Sequence, residues 1–379
     1  SISISDASAK SLTSDIRLHG NKIWGQVQHK LVFGIDYQNA ITDNDSLFIF
    51  GGGGLLDLYN PVYGQVASFP TFDDVIDAPA SQIYQTGFYV QDQMYLGNHW
   101  IVSAALRRDV VKNKTEITES FKSDATTGRL GVMYRFDNNI SPYVNYSESF
   151  EPLTGFDAYG KPFEPKKGEQ FEVGVKFQPQ GTEHLITASF YDITESNRTT
   201  PLPPGAISDP AVVDPTASIQ VGEVDIQGFE IEAQLEWSEF DVYSSYSYTD
   251  SEITKSNTLG ELGARLSATP DHLFSTWATY RPEHFWPGFK VGAGVRYVGE
   301  TSDGSAYVGL PDGTVLNDPL LTRSYTLFDM MIGFEKGAYD FSINVDNLSD
   351  KTVTTSCLAR GDCFYGQQRT VTASLKYQF

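Results

Sequence analysis

The chain has 379 residues, of which 40% are hydrophobic and 13% are aromatic, and its formal net charge is -21. No run of about 18 apolar residues occurs, which excludes a transmembrane helix. The excess of acidic over basic residues excludes a nucleic-acid partner, because phosphate backbones are bound by Lys and Arg.

Alternation of apolar and polar residues predicts an all-β chain of about fifteen strands. The abundance of Tyr, Phe and Gly and the scarcity of Met and Cys agree with β structure. The predicted strands cover residues 12–19, 26–41, 82–96, 99–112, 125–136, 140–150, 168–178, 183–194, 219–237, 240–250, 267–280, 289–301, 323–335, 339–348 and 369–379.

The connections between these strands are short and long in turn. We predict the first short turn at Gly20-Asn21-Lys22 and the last at Lys336-Gly337. Short turns on one side and long loops on the other are typical of an outer-membrane β-barrel. The final strand follows a long loop, so we place the C-terminus on the periplasmic side.

The last strand has an apolar face that continues to the final residue, where soluble proteins usually fray. This face consists of Val371, Ala373, Leu375, Tyr377 and Phe379. Such a strand suits the wall of a membrane barrel, although this stretch alone also fits a sandwich strand. We expect Tyr377 and Phe379 to act as a signal for barrel assembly.

Several other strands predict a lipid-facing and a lumen-facing side in the same way. In one of them, Phe229 and Ile231 alternate with Glu230, Glu232 and Glu236. Carboxylates at every second position would be costly in hydrocarbon, so one face must be wet. We expect these carboxylates to pair with Lys or Arg across neighbouring strands.

The odd strand count predicts that the chain starts inside a larger barrel, because bacterial single-chain barrels close with an even number of strands. The first residues have neither a basic start nor an apolar stretch of a signal peptide. We therefore expect a mature protein or a piece of one.

Several motifs, in order along the chain, resemble signatures of TonB-dependent siderophore receptors, and the ferrichrome-receptor branch in particular. They are Leu55-Leu56-Asp57-Leu58-Tyr59-Asn60-Pro61, Gly87-Phe88-Tyr89-Val90-Gln91-Asp92-Gln93, Pro142-Tyr143-Val144-Asn145-Tyr146-Ser147-Glu148-Ser149-Phe150-Glu151-Pro152, Phe163-Glu164-Pro165-Lys166-Lys167-Gly168-Glu169-Gln170, Val173-Gly174-Val175-Lys176, Asn347-Leu348-Ser349-Asp350-Lys351, and Ser356-Cys357 to Cys363-Phe364-Tyr365-Gly366.

The resemblance implies a barrel of about 22 strands preceded by an N-terminal plug domain that carries the TonB-contacting box. Residues 1–379 match only the C-terminal portion of that barrel, without the plug and roughly the first seven strands. The resemblance also implies a location in the bacterial outer membrane.

The two cysteines, Cys357 and Cys363, suggest one local disulfide and match paired cysteines in the family's last extracellular loop. A metal role is disfavoured, because no further Cys and no neighbouring His completes a site. No catalytic motif is present.

Aromatic residues in or beside the long loops are the ligand-binding candidates that the resemblance implies: Tyr59, Tyr63, Phe364 and Tyr365. Aromatic faces suit a nearly uncharged hydroxamate siderophore, whereas anionic catecholates favour Lys and Arg. Loop packing or an interfacial girdle is the structural alternative.

The resemblance implies a receptor and transporter for ferric siderophores, energised through TonB when the plug is present. We expect no cofactor, since iron arrives as the ferric siderophore. Expected partners are this ligand, the TonB complex, outer-membrane lipid, lipopolysaccharide and the barrel assembly machinery. The alternatives are a receptor for cobalamin or a glycan, an outer-membrane enzyme, and a passive porin.

Overall fold

The computed structural model describes residues 2–49, 62, 71, 74, 80–115, 120–258, 260–306, 308–309, 315–316, 319–358 and 362–379. Its contacts divide the chain into two compact units. The first unit contains Ser1–Asn21, Lys30–Asp92 and Ala105–Thr127. The second contains Lys22–His29, Gln93–Ala104 and Gly128–Phe379.

Fifteen strands form one antiparallel sheet in which each strand neighbours the next one along the chain. The first eight are β1 (Ile2–Trp24), β2 (Val27–Ile49), β3 (Ser81–Leu96), β4 (Trp100–Thr115), β5 (Phe121–Tyr134), β6 (Ile140–Glu151), β7 (Lys166–Phe177) and β8 (Leu185–Pro201). The other seven are β9 (Ser218–Glu236), β10 (Phe240–Lys255), β11 (His272–Tyr280), β12 (Phe289–Val298), β17 (Tyr325–Lys336), β18 (Tyr339–Asp346) and β21 (Thr370–Tyr377).

The remaining strands are short and lie in long loops, which the sequence patterns did not predict. They form three two-stranded sheets: β13 (Thr301–Ser302) with β16 (Leu321–Thr322), β14 (Val308–Gly309) with β15 (Val315–Leu316), and β19 (Thr354–Cys357) with β20 (Cys363–Tyr365). A 3-10 helix, Pro204–Ser208, lies in the loop between β8 and β9. In the described part of the chain, no helix has the length and apolar character needed to cross a membrane.

The predicted all-β class and the fifteen strands of the main sheet are confirmed. The first predicted turn is wrong: Gly20, Asn21 and Lys22 continue β1, and the chain reverses after Trp24. Gly25 occupies the turn with a φ of 62°, a left-handed conformation that glycine adopts without a steric penalty. Gly20-Asn21 resembles a turn dipeptide but lies within a regular strand.

Side-chain exposure alternates along the strands, with the apolar side chains more exposed than the polar ones, which is the reverse of a soluble sheet. On β7, Phe171 and Val173 are 53% and 48% exposed, whereas Gln170 and Glu172 are half-buried. Tyr339, Phe341 and Ile343 on β18 are exposed in the same way. We call the apolar face the outer face and the polar face the inner face. An apolar surface of this kind is stable only against hydrocarbon.

Aromatic rings cluster at the short-turn ends of the strands in the second unit. Trp100 and Phe136 make edge-to-face contacts with Tyr134, at centroid distances of 4.7 Å. Near the C-terminus, Tyr377 contacts both Tyr339 and Phe379, at 5.0 and 5.1 Å. Rows of Trp, Tyr and Phe at strand ends are typical of a membrane interface, where amphipathic rings are most stable.

Candidate functional site

The inner face of the first unit holds a charged network centred on Arg107. Its guanidinium donates to Asp36 at 2.6 and 2.9 Å and to Asp109 at 2.6 Å through each of two nitrogens. Asp109 is fully buried and also accepts a bond from Gln85 at 2.9 Å. One buried carboxylate, one half-buried carboxylate and one shared guanidinium form a satisfied cluster.

Two glycines create the space for this network. A Cβ on Gly87 would lie 2.1 Å from Nη2 of Arg107, and one on Gly34 would lie 2.1 Å from the ring of Tyr89. The hydroxyl of Tyr89 donates to Asp15 at 3.1 Å. The motif from Gly87 to Gln93 therefore has a packing reason: its small and aromatic inner-face residues fit around Arg107.

Ion pairs also cross between strands on the inner face of the second unit. Arg296 on β12 binds Asp329 on β17 through Nε and Nη2, at 2.6 and 2.8 Å. Lys290 on β12 donates to Asp340 on β18 at 2.7 Å. These pairs confirm that the basic residues of β12 lie on the polar face of the sheet.

Beside Arg296 lies an inner-face cavity of about 410 Å³. The indole of Trp277 lines it, resting over Gly292 and Gly294, where an added Cβ would lie 2.5 Å from the ring. The indole Nε1 donates to the hydroxyl of Thr279 at 3.0 Å. A flat aromatic surface is thus presented toward the inside of the sheet.

The Lys or Arg partners expected for Glu230, Glu232 and Glu236 are not found in the described part of the chain, although Glu223 of the same strand pairs with Lys255 at 2.8 Å. Glu236 instead accepts bonds from Gln234 at 2.7 Å and from the hydroxyl of Tyr243 at 3.2 Å. On β7, Glu172 accepts in the same way from Tyr143 and Gln170. Neutral donors satisfy the hydrogen-bonding oxygens of these carboxylates, because the polar face of the sheet carries Tyr, Ser and Gln beside them.

The long loops of the second unit are joined to one another. Ala158, in the loop between β6 and β7, is fully buried; its N–H donates to Ser218 and its carbonyl accepts from Val213. Farther along, Nδ2 of Asn257 donates to the carbonyl of Pro201 at 3.1 Å. The long loops on either side of the β8–β9 hairpin are therefore both anchored on it.

The remaining loops continue this chain of contacts. The N–H of Ala306 donates to the carbonyl of Gly260 at 2.5 Å, and that of Ala268 donates to Ser302 at 2.9 Å. Both β13 and β16 then pack against β19 of the last loop. A small apolar cluster of Val224, Ile253 and Ala264 lies beneath them. The loops form one connected layer at the long-loop end.

The last loop contains the predicted cysteine pair and two of the ligand-binding candidates. Cys357 and Cys363 face each other across β19 and β20 and form a disulfide with an S–S distance of 2.06 Å. Next to them on β20, Phe364 is 48% exposed and Tyr365 is 78% exposed. The other candidates, Tyr59 and Tyr63, lie outside the described residues.

Asn347 anchors this loop to the sheet. Its amide Nδ2 donates to the carbonyls of Lys351 and Gln367, at 2.9 and 3.2 Å, and its Oδ1 accepts from the N–H of Lys351 at 2.9 Å. Its own N–H donates to Asp329, the partner of Arg296. A φ of 52° at Asn347 permits this geometry, and Asn tolerates it better than most residues.

Among the described residues, no group of three or more His, Cys, Asp or Glu side chains is arranged to hold a metal ion. Within the described part of the chain, five of the six histidines contact other protein groups: His29, His99, His184, His272 and His284. His99 bonds the carbonyl of Arg135 through Nδ1, and His184 accepts from the N–H of Glu236.

A family model described as TonB dependent receptor-like, beta-barrel matches residues 4–348 of the chain. The chain belongs to this family. Like the other barrels of the family, this TonB-dependent receptor barrel is a protein of the bacterial outer membrane. Membership also accounts for the apolar outer face and for the alternation of short turns with long loops.

Curated relatives match nearly the whole of this chain. The ferrioxamine B receptor of Salmonella typhimurium (strain SL1344) is 32% identical over an alignment of 379 positions, which covers 96% of this chain and 50% of that protein. The ferrichrome outer membrane transporter/phage receptor of Escherichia coli (strain K12) is 30% identical over 99% of this chain and 49% of that protein. The chain thus spans about half the length of the curated relatives it matches.

Solved structures show the same fold. The ferric-catecholate import receptor Fiu from Escherichia coli K12 superposes with a TM-score of 0.77 at 20% identity, covering 99% of this chain and 55% of that one. The ferripyoverdine receptor of the outer membrane of Pseudomonas aeruginosa gives a TM-score of 0.79 at 19% identity, over 100% and 49% of the two chains.

Proposed function

We propose that this chain supplies barrel wall and ligand-capturing loops to an outer-membrane receptor and transporter for ferric siderophores of the hydroxamate type. The observation that carries the proposal is the 32% identity to a ferrioxamine B receptor over 96% of the chain. A second relative, at 30% identity, is a ferrichrome transporter. Both names denote receptors or transporters, and we propose a receptor, not an enzyme.

The connected loop layer supports ligand capture. Aromatic side chains on β20 project from a hairpin closed by a disulfide, with Tyr365 the more exposed. A rigid aromatic surface loses little conformational entropy when it packs against a bulky, nearly neutral ferric complex. Iron enters as part of that ligand, so the protein requires no cofactor.

Transport requires more of the receptor than ligand capture. We propose that a plug domain links the barrel to the TonB complex, as membership of the TonB-dependent receptor family implies. The charged inner face, with pairs such as Arg296–Asp329, is then the surface that surrounds the plug. Outer-membrane lipid, lipopolysaccharide and the barrel assembly machinery complete the proposed partners.

The charge of the chain predicts which siderophores the receptor accepts. With 48 acidic and 27 basic residues, the surface disfavours anionic ligands at low ionic strength and tolerates neutral ones. Fluorescence-quenching titrations of the full-length receptor should show tight, nearly salt-independent binding of ferric hydroxamates. Tight binding of a ferric tris-catecholate that weakens as salt rises would contradict the assignment.

Aromatic variants test the loop contact. Tyr365→Ala should weaken hydroxamate binding about tenfold, by removing an aromatic contact with the complex. Tyr339→Ala is the matched control, because it removes an exposed Tyr at the short-turn end of β18. Equal affinities for the two variants would show that β20 does not contact the ligand.

A further inference from the structure

A second cavity lies at the long-loop end, between β16 and the disulfide-closed β19–β20 hairpin. Its volume is about 310 Å³. Its lining includes two cations and four Ser and Thr side chains, and no Asp or Glu of the described part of the chain. The cations are Arg323 and Lys351, and the hydroxyl residues are Thr322, Ser324, Thr352 and Thr354.

The two cations have no acidic partner within the part of the chain that the structure describes. The acid nearest in sequence to Lys351, Asp350, is engaged elsewhere: it accepts from the N–H of Arg369 at 2.9 Å and lies 3.5 Å from that residue's guanidinium. In a chain with 48 acidic and 27 basic residues, two adjoining cations without carboxylates are unusual. Among the described residues, no carboxylate therefore neutralises this pair of positive charges.

A buried hydroxyl provides an independent observation. Thr322 is only 4% exposed, and its Oγ1 has no hydrogen-bond partner in the structure. The facing residue of the small sheet, Thr301, also has a buried Oγ1 without a partner. Buried hydroxyls are normally hydrogen-bonded, so a donor left open beside two cations indicates a missing acceptor.

The walls of the cavity are held by the contacts already described. The disulfide closes the hairpin on one side, and Val353 is buried beneath it, with its carbonyl accepting from the N–H of Gly366 at 2.9 Å. Asn347 fixes the backbone of Lys351 on the other side. Hydrogen-bond donors that are already held in position lose less conformational entropy when the ligand binds.

We propose that this cavity is a binding site for an oxyanion: a phosphate, sulfate or carboxylate group, either free or carried by a larger molecule. The guanidinium and the ammonium neutralise its charge, and rotation of the Thr322 side chain, whose Oγ1 is enclosed and unpaired in the structure, lets that hydroxyl donate to one of its oxygens. The inference does not rest on siderophore transport, since an oxyanion would bind here whatever ligand the receptor imports.

Inorganic phosphate is the probe for the test, titrated calorimetrically into the full-length receptor purified in detergent. Saturable binding is expected, about tenfold weaker in Lys351→Gln and in Arg323→Gln, because each removes one charge-assisted contact. Thr322→Val, which keeps the shape of the side chain, should also weaken binding. Lys255→Gln is the matched control: it removes a positive charge at the end of β10, where Lys255 pairs with Glu223.

Absence of saturable phosphate binding, or equal affinities for the unmodified receptor and the three cavity variants, overturns the proposal. Protection of Lys351 from acetylation by added phosphate, read by mass spectrometry, tests the unmodified receptor in case a variant fails to fold. Titration with lipopolysaccharide identifies the source. If the cavity variants lose affinity for lipopolysaccharide as well as for inorganic phosphate, the site binds lipid phosphates. If they lose affinity for inorganic phosphate alone, the site binds a soluble anion.

Discussion

Single side chains that bond to backbone groups organise the long loops of this protein. Asn347 makes three such bonds to residues beyond β18, and its N–H binds the Asp329 carboxylate. Because Asp329 also holds Arg296, the inner face of the sheet and the last loop share one polar network. The motif from Asn347 to Lys351 therefore has a structural basis in addition to its family resemblance.

Asn347→Ala should destabilise this network. The change removes three hydrogen bonds, from two carbonyls and an N–H, at a cost of about 1–3 kcal/mol. We expect faster hydrogen exchange at the N–H of Lys351 and a lower melting temperature in detergent. Ser349→Ala, in the same motif but exposed, is the control. Unchanged exchange in the Asn347 variant would show that the loop is held by other contacts.

Asp214 has the corresponding role in the loop between β8 and β9, outside the membrane-spanning segments. The hydroxyl and the N–H of Thr216 donate to its carboxylate, at 2.7 and 2.9 Å. These bonds to the charged form lower the pKa of Asp214 below 3.8. The stabilisation is therefore complete above the unfolded pKa and is lost as the pH falls through the lower, folded value.

We expect the β8–β9 loop to become sensitive to an acid-active protease only at a pH below that folded value. Asp214→Ala should make the loop sensitive at neutral pH and remove its dependence on acid. Cleavage kinetics over a pH series measure both effects. A loop whose cleavage rate in the variant still follows pH would indicate that another group controls it.

At the scale of whole elements, the strands are fixed by two-residue periodicity and the loops by their mutual contacts. The last strand combines both features, because β21 pairs with β18 and the chain continues beyond it to the fully exposed Phe379. Tyr377 makes a tilted ring contact with Tyr339 and an edge-to-face contact with Phe379 at the short-turn end. An exposed terminal aromatic of this kind is available to other proteins before the strand is embedded.

Phe379→Ala should lower the amount of receptor inserted in the outer membrane more than it lowers the stability of folded receptor. The physical reason is that the side chain makes one ring contact in the folded chain, while it would be a main recognition feature of the unfolded strand. Quantitative immunoblots of membranes and melting in detergent measure the two effects. Normal insertion at native expression levels would argue against an assembly signal.

At the scale of the whole molecule, the decisive property is that polarity is reversed between the two faces. The outer face carries Val173 and its apolar neighbours, and the inner face carries charged networks such as those of Arg107 and Arg296. Because hydrocarbon replaces water outside, the free energy of the fold depends on keeping charge off the outer face.

Val173→Lys should therefore destabilise the folded receptor by about 2–4 kcal/mol, as expected for a cation near the middle of the bilayer. Ser245→Lys is the inner-face control, since Ser245 lies opposite Glu232 on one side and Ser275 on the other, and the new ammonium gains a carboxylate partner there. Equilibrium unfolding in lipid vesicles measures both. Equal destabilisation by the two changes would contradict the assignment of the faces.

Much of the sheet could be predicted from the sequence. A strand that separates lipid from a polar interior must alternate between apolar and polar residues. Its own local sequence therefore determines which side chains face the lipid and roughly where the strand begins and ends. The alternation of Phe229 and Ile231 with Glu230 and Glu232 is such a case. The two cysteines are also only six positions apart, and their pairing required no knowledge of distant residues.

Tertiary structure decided the features that depend on distant partners. The turn at Gly25, the Tyr and Gln partners of Glu172 and Glu236, and the contact of Ala306 with Gly260 follow from which strands and loops become neighbours. Likewise, the oxyanion cavity requires Arg323 and Lys351, which belong to different loops, to meet. A two-residue period specifies the face of each side chain, but only the register and packing of separate segments determine its partner.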